Sequence, residues 1–195
     1  STNKCLMNGL EGIELEDIKT VSSLNYRIKL LGITEIISNK LFERVHPCLI
    51  KKDNYIANIN GVMNAVILDG VPVGQTVLQG EGAGPKPTSS ALMSDLLSIL
   101  RGNIKYPFGI PASKRKKINS YNKDFYTNSF YIRLLVKDKP GVLSSITKIF
   151  AKNKISIKNL IQNPNKKNSK ASIIIITHQN LEKNYNHLFS NLSKN

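Results

Sequence analysis

Apolar and polar positions in the first fifty residues divide the chain into short segments of different character. Residues 15–24 mix charged and apolar side chains and predict a short helix that ends near Asn25. Residues 26–37 begin with an apolar–polar alternation, which is typical of a half-buried strand. Residues 45–50 predict another extended segment, because Pro47 cannot donate to a strand ladder and biases its neighbour toward extended backbone. This mixture of helix and strand segments predicts an α/β (α+β) fold.

The next apolar run predicts a strand pair. Residues 61–68 are apolar enough for a buried strand or for the end of a helix. The dipeptide Asp69-Gly70 is typical of a tight turn, and residues 71–78 then predict a second strand. If residues 61–68 form a strand, this turn makes a hairpin of residues 61–78.

Glycines occupy the alternate positions Gly80, Gly82 and Gly84 directly after this hairpin. Glycine leaves backbone N–H groups uncovered, and a helix that starts just after the loop adds the positive end of its dipole. Such an arrangement can hold a phosphate or a carboxamide of a cofactor against the backbone. Glycine-rich turns also occur for purely structural reasons, so both interpretations stay open at this point.

A helix and a linker follow the glycine loop. Residues 88–101 predict a helix that is capped by Thr88 or Ser89 and ended by Gly102. From residue 103 to residue 128 the periodicity is lost, and proline, glycine and basic residues predict a linker.

A second unit with the order βαββα is predicted from Phe130 onward. Its segments are strand 131–136, turn 138–141, helix 142–150, strand 155–161, polar turn 164–170, strand 171–177 and helix 181–192. This is the order of a ferredoxin-like βαββαβ unit that lacks its last strand. An exposed sheet edge is therefore expected where that strand would pair.

Composition narrows the class of protein. The net charge of +15 would suit a polyanionic partner, but aromatic residues make up only 7% of the chain and tryptophan is absent. The basic run at 114–117 predicts a solvated linker. No apolar run approaches the roughly 20 residues of a membrane span. Cys5 and Cys48 match no metal-ligand spacing. We therefore expect a cytoplasmic protein without metal, nucleic acid or membrane partners.

Four collinear segments of the first unit resemble the catalytic region of bacterial homoserine dehydrogenases. They are LNYRIKLLGI at 24–33, RVHPCLI at 44–50, GVMNAVILDG at 61–70 and VGQTVLQGEGAGPKPTSSALMSDLLSILRG at 73–102. The family shows IKLLG, R-V-H-P, G-V-x-N-A-V and G-x-G-A-G-x-x-P-T-A-S-A patterns in this order. One departure is Asn54-Tyr55, which stand where the family often has His-Pro.

The second unit resembles an ACT domain, a small amino-acid-sensing module. The resemblance lies in VKDKPGVLSSITKIFAKNKISIKNLIQ at 136–162. Many bacterial homoserine dehydrogenases carry such a module after a linker. The resemblance therefore implies a partial catalytic and dimerisation domain with a mixed sheet at 1–110, a linker at 111–128 and a truncated ACT domain at 129–195.

The resemblance also implies a reaction. Homoserine dehydrogenases interconvert L-homoserine and L-aspartate 4-semialdehyde with NAD or NADP, in the synthesis of threonine, methionine and isoleucine. The family's nucleotide-binding fingerprint and catalytic lysine lie upstream of these segments. No catalytic residue is therefore expected in this chain, and the isolated chain is expected to be inactive. A homodimer or a higher homo-oligomer is expected.

The resemblance assigns two groups of binding residues. Gly84 is the first candidate for cofactor contact, followed by Gly82 and Gly80; the structural alternative is a tight turn that requires positive φ. The candidates for binding an amino-acid effector, with threonine expected, are Asp138, Gly141, Asn159 and Gln162. The alternative for them is an ACT domain that dimerises without a ligand.

Two other classes of protein stay open. One is a free-standing amino-acid sensor built around the ACT unit. The other is a nucleic-acid-binding protein that uses the basic run at 114–117.

Overall fold

The computed structural model describes two compact units. The first unit comprises residues 1–34 and 43–119, and the second comprises residues 35–42 and 120–195. Within these ranges the structure describes residues 6–7, 9–103, 105–106, 109–165 and 170–192. The second unit therefore includes part of the predicted linker and a short segment from the first half of the chain.

The first unit contains two small sheets and two α-helices. Its elements are β1 (Leu6–Met7), α1 (Leu15–Ser23), β2 (Tyr26–Ile37), β3 (Lys40–Lys51), a 3₁₀ turn (Tyr55–Asn58), β4 (Met63–Gly70), β5 (Gly74–Glu81) and α2 (Pro85–Leu100). One sheet has the order β1-β3-β2, with β1 parallel to β3, and β4 pairs antiparallel with β5. The strand predicted over 26–37 is confirmed, and the tips of β2 and β3 belong to the second unit.

The β4–β5 hairpin turns later than the sequence predicted. The turn predicted at Asp69-Gly70 is wrong, because these residues pair with Gln75 and Gly74 in the strand ladder. The connection is instead formed by residues 71–73. Gly74, with a φ of 77°, supplies the left-handed backbone that the turn requires.

Helix α2 begins at Pro85 rather than at Thr88. Gly84 is its N-cap, and Pro85 takes the first helical position, where its fixed φ suits the helix and its missing N–H is not needed. The capping roles predicted for Thr88 and Ser89 are wrong. Both residues lie inside the helix, and their hydroxyls donate to the carbonyls of Gly84 (2.8 Å) and Pro85 (2.7 Å).

The second unit has the predicted βαββα order. Its elements are β6 (Thr127–Asn128), β7 (Tyr131–Lys137), α3 (Val142–Lys152), β8 (Ile157–Asn165), β9 (Lys170–Thr177), β10 (Asn180–Leu181) and α4 (Glu182–Leu192). The sheet order is β7-β9-β8, antiparallel throughout. The turn predicted at 164–170 is wrong at Pro164 and Asn165, which belong to β8, and its residues 166–169 lie outside the described residues.

The core of the second unit lies between this sheet and its two helices. Every residue of β9 from Ala171 to Thr177 is buried. The fully buried core cluster consists of Ile132, Ile146, Phe150, Ile155, Ile173, Ile175, Tyr185 and Leu188. Alternate residues of β9 face the helices, so the central strand anchors the whole unit.

One buried polar group of this core is fully bonded. The hydroxyls of Thr177 and Tyr185 lie 2.5 Å apart, and the Tyr185 hydroxyl also donates to the His178 carbonyl at 2.9 Å. Burial raises the pKa of Tyr185, while the bond to Thr177 opposes the shift. A neutral phenol that is bonded in this way can be buried without a large desolvation penalty.

The tip of the β2–β3 hairpin, residues 35–42, is part of the second unit and packs there against Tyr121 and Tyr126. Phe42 stacks on Tyr126 with ring centroids 3.9 Å apart and meets Tyr121 edge-on. The Tyr126 hydroxyl donates to Glu35 Oε1 at 2.8 Å, and the Tyr121 amide donates to the Leu41 carbonyl at 2.8 Å. The sequence predicted the hairpin strand but not this attachment.

We expect Phe150→Ala to destabilise the second unit by about 3–5 kcal/mol, because it opens a cavity beneath the central strand. Amide hydrogen exchange of β9 in the full chain measures this loss. Leu135→Ala is the control, since Leu135 is 64% exposed and its truncation should change the exchange little. Equal losses in the two variants would contradict the assignment of this core.

Candidate functional site

The glycine loop connects the end of β5 to the start of α2. Gly80 lies in β5 opposite Asn64, and a Cβ placed on Gly80 would meet nothing within 4 Å. A Cβ on Gly82 would overlap the side-chain amide of Asn64. Gly84 has a φ of 123°, which L side chains rarely adopt. The loop backbone therefore requires glycine at Gly84. A side chain at Gly82 would displace the exposed Asn64 amide, whereas one at Gly80 would meet open space.

The loop offers a limited set of open N–H donors. Gly82 uses its N–H to bond the Val62 carbonyl at 3.0 Å, and Pro85 and Pro87 have no N–H to offer. Three amides have no acceptor among the described residues: Ala83, Gly84 and Lys86. This cluster of donors fits an acceptor group of a cofactor, and Lys86 adds a positive charge beside it.

Two cations of β2 brace the segment that precedes β4. Arg27 Nη1 donates to the Ala57 carbonyl at 3.1 Å. Lys29 Nζ donates to the Ile59 carbonyl and, at 3.0 Å, to Asn60 Oδ1. Because residues two apart share one face of a strand, both side chains reach the carbonyls at the end of the 3₁₀ turn. Lys29 thus has a structural function here.

The same 3₁₀ turn is connected to the strand that carries the glycine loop. Asn54 caps the turn, with its Oδ1 accepting the Ile56 N–H at 3.0 Å. The Tyr55 hydroxyl donates to Gln79 Oε1 on β5. Asn54 and Tyr55, the pair that departs from the resembling family, therefore support the local structure.

Cys48 and His46 lie together on β3. Cys48 Sγ lies 3.6 Å from His46 Nδ1, which is itself 2.9 Å from the Pro47 carbonyl oxygen. Burial raises the pKa of the Cys48 thiol from 9.0 to about 11, and the nearby Arg44 charge opposes the shift. The thiol is therefore neutral at pH 7 and a poor nucleophile.

A cavity of about 410 Å³ lies at the strand-to-helix turn of the second unit. Its lining consists of Val136, Lys137, Asp138, Lys139, Pro140, Gly141, Val142, Leu143, Gln162 and Ile173. Gln162 Nε2 donates to Asp138 Oδ1 at 3.3 Å across one side of it. Lys137 and Lys139 add charge beside Asp138, and apart from Gln162 the other side chains are apolar, so the cavity combines a charged end with an apolar wall.

The start of α3 borders this cavity with open backbone donors. Gly141 is the N-cap, in the left-handed conformation with a φ of 90°, and provides no side-chain cap. Within the described part of the chain, the amides of Leu143 and Ser144 bond no acceptor. A carboxylate could be bound there, opposite the carboxylate of Asp138 that suits an ammonium group.

The structure brings together three of the four predicted effector residues. Asp138, Gly141 and Gln162 line the cavity, whereas Asn159 does not. Asn159 pairs with Ile176 and Gln162 with Ile173. Side chains three positions apart in a strand point to opposite faces of the sheet. The sequence placed both residues in one strand but did not show which face lines the cavity, so it could not exclude Asn159.

The basic run at 114–117 is exposed along its whole length. This agrees with the prediction of a solvated segment. Among the described helices, none is long and apolar enough to cross a membrane.

Asn64, whose side chain lies against the glycine loop, was not singled out from the sequence. It stands in the quoted G-V-M-N-A-V segment, but only the pairing of β4 with β5 shows that it lies against the glycine loop. The available signal was a polar residue on a strand face that otherwise carries Val66 and Leu68.

The two units define a class of protein. A mixed α/β unit with a donor-bearing glycine loop is joined to a βαββα unit with a small-molecule-sized cavity, as in a metabolic enzyme with a ligand-binding module. Residues 1–97 match the family model described as homoserine dehydrogenase, and residues 130–193 match the ACT domain model. The chain belongs to the homoserine dehydrogenase family.

Individual relatives agree with this assignment. The chain is 36% identical to the homoserine dehydrogenase of Neisseria gonorrhoeae, covering 92% of this chain and 42% of the relative. It is 37% identical to that of Helicobacter pylori, with 91% and 42% covered. The crystal structure of a homoserine dehydrogenase from Thiobacillus denitrificans matches with a TM-score of 0.85 at 33% identity, covering 100% of this chain and 45% of that one. The chain spans about two-fifths of the length of the curated relatives it matches.

We expect Cys48 to be alkylated by iodoacetamide about a hundredfold more slowly at pH 8 than a thiol with a pKa of 9.0, because the reaction requires the thiolate. The rate should keep rising as the pH approaches 11. Peptide mass spectrometry of the full chain measures it, with urea-unfolded protein as the reference. A rate equal to that of the unfolded protein would contradict the burial of this thiol.

Proposed function

We propose that this chain forms part of an NAD- or NADP-dependent homoserine dehydrogenase that interconverts L-homoserine and L-aspartate 4-semialdehyde in the cytoplasm. The reaction would serve threonine, methionine and isoleucine synthesis. The observation that carries this proposal is the collinear match of both units to homoserine dehydrogenases over more than nine-tenths of the chain. A free-standing amino-acid sensor would not account for the match of residues 1–97.

The glycine loop is proposed as one wall of the cofactor site. The bound cofactor would supply hydride transfer. Gly84 is the first proposed contact, with Gly82 and Gly80 beside it, and the open amides at the start of α2 would bind and orient an acceptor group. The catalytic lysine of the family would come from outside this chain.

The first unit is proposed to be covered by the rest of the enzyme and by a second subunit. Helix α2 has no buried residue, although it carries six large apolar side chains that are exposed: Leu92, Met93, Leu96, Leu97, Ile99 and Leu100. An exposed apolar surface of this kind is typical of an interface. The proposed assembly is a homodimer or a higher homo-oligomer, with domains at 1–110 and 129–195 joined by a linker at 111–128.

The cavity of the second unit is proposed as the effector site, with threonine as the ligand. Asp138 would bind the ammonium group, and the open amides after Gly141 would bind the carboxylate. Gln162 holds the Asp138 carboxylate in place. The apolar wall, which includes Ile173, would contact the effector's methyl group.

We expect the full-length protein to oxidise L-homoserine with NAD or NADP, and Gly84→Ala to lower kcat/KM about tenfold or more. The reason is that alanine at a φ of 123° shifts the loop backbone and its donors. Absorbance of the reduced cofactor measures the reaction. Gly12→Ala is the control, since a Cβ there meets nothing within 4 Å and no left-handed φ is required. The chain alone should show no turnover, and turnover by the chain alone would refute the proposed division of the site.

We expect Asp138→Asn and Gln162→Ala to weaken threonine binding to the full-length protein about tenfold or more, because each removes part of the ammonium site. Isothermal titration calorimetry measures the affinity. Asn159→Ala is the matched variant from the same strand and should bind threonine as the wild type does, because Asn159 lies outside the cavity. Loss of binding in Asn159→Ala alone would place the effector elsewhere.

A further inference from the structure

Asn64 reaches across the hairpin to the backbone of the glycine loop. It pairs with Gly80 in the β4–β5 ladder, and its side chain extends to Gly82. A Cβ on Gly82 would overlap the Asn64 amide nitrogen and lie 2.6 Å from its Cγ. The Gly82 N–H is already bonded to the Val62 carbonyl, so the loop is fixed where the amide meets it.

The Asn64 amide has no hydrogen-bond partner among the described residues, and the residue is exposed. It is also the polar member of an apolar strand face. The neighbours on its own face, two and four residues along β4, are Val66 (54% exposed) and Leu68 (53% exposed). Across the ladder, Leu78 is 58% exposed and Gly80 leaves open space.

An apolar surface with a few convergent polar groups is the usual form of a cofactor site. Here the polar groups are the Asn64 amide and the open N–H groups of Ala83 and Gly84. A phosphate offers only acceptors, whereas a side-chain amide offers both a donor and an acceptor. The chemical group that matches both functions of Asn64 is another carboxamide.

We propose that Asn64 binds the carboxamide of the nicotinamide ring and positions that end of the cofactor over β4 and β5. This inference rests on the proposed function, since it requires that a nicotinamide cofactor bind at the glycine loop. It assigns to Asn64 a contact separate from the backbone contacts of the loop glycines.

The test compares two nucleotides on the full-length protein. The probes are the reduced cofactor that the wild type binds, NADPH or NADH, and the corresponding 2′-phospho-ADP-ribose or ADP-ribose, which lacks the nicotinamide. Asn64→Ala and the near-isosteric Asn64→Leu should weaken the binding of the reduced cofactor about 3- to 10-fold, which corresponds to the loss of one or two hydrogen bonds. Both variants should bind the ADP-ribose compound (the ribose analogue below) with the same affinity as the wild type. Asn119→Ala, at an exposed asparagine of the linker region, is the control.

Gly82→Ala separates ligand binding from loop packing. If Asn64 only packs against the loop, the single variant Asn64→Ala binds the cofactor as the wild type does. The double variant then binds the cofactor better than Gly82→Ala, because the methyl group that Gly82→Ala adds has room once the Asn64 amide is removed. That result overturns the inference. If Asn64 binds the carboxamide, the double variant binds no better than Asn64→Ala. Thermal unfolding of each variant shows that the folded protein is being compared.

The outcomes also separate the two proposals. A wild-type protein that binds neither reduced cofactor nor ribose analogue overturns the proposed function and this inference together. A wild type that binds both, with Asn64 variants that lose neither, overturns this inference alone. Equal loss of both nucleotides would place Asn64 at the phosphate or ribose end and would also overturn it.

Discussion

The second unit is organised by the burial of β9, because the side chains on both faces of this strand have to be removed from water. Seven consecutive residues, from Ala171 to Thr177, are buried, and this strand is the central one of its sheet, with both edges paired. The helices α3 and α4 then cover one face. Ile173 belongs both to this buried cluster and to the wall of the cavity that is proposed as the effector site.

In the first unit, by contrast, many apolar side chains are not removed from water. Helix α2 buries no residue, and the strands β4 and β5 expose apolar side chains in water. A two-stranded sheet and one helix cannot bury this apolar surface by themselves, so the surface is suited to contact with other protein. The glycine loop lies between these two elements, which explains why a cofactor site here would be completed by another part of the enzyme.

Local sequence patterns predicted the elements better than their ends. The strand at 26–37 follows from its alternation, and the βαββα order follows from apolar runs separated by turn residues. Turns and caps were less well predicted, because several residues compete for one role. Gly74 rather than Gly70 takes the positive φ, and Gly84 with Pro85 starts α2 although Thr88 and Ser89 are good capping residues.

The sequence by itself determined the family, the two units and the segments that carry the candidate sites, because collinear motifs and hydrophobic periods are local properties of the chain. The tertiary structure alone decided which side chains meet. Strand alternation places Gln162 beside Asp138 and Asn159 elsewhere. Pairing of β4 with β5 brings Asn64 to Gly82, eighteen positions along the chain. Such contacts depend on strand register, and register is fixed by partners that are distant in sequence.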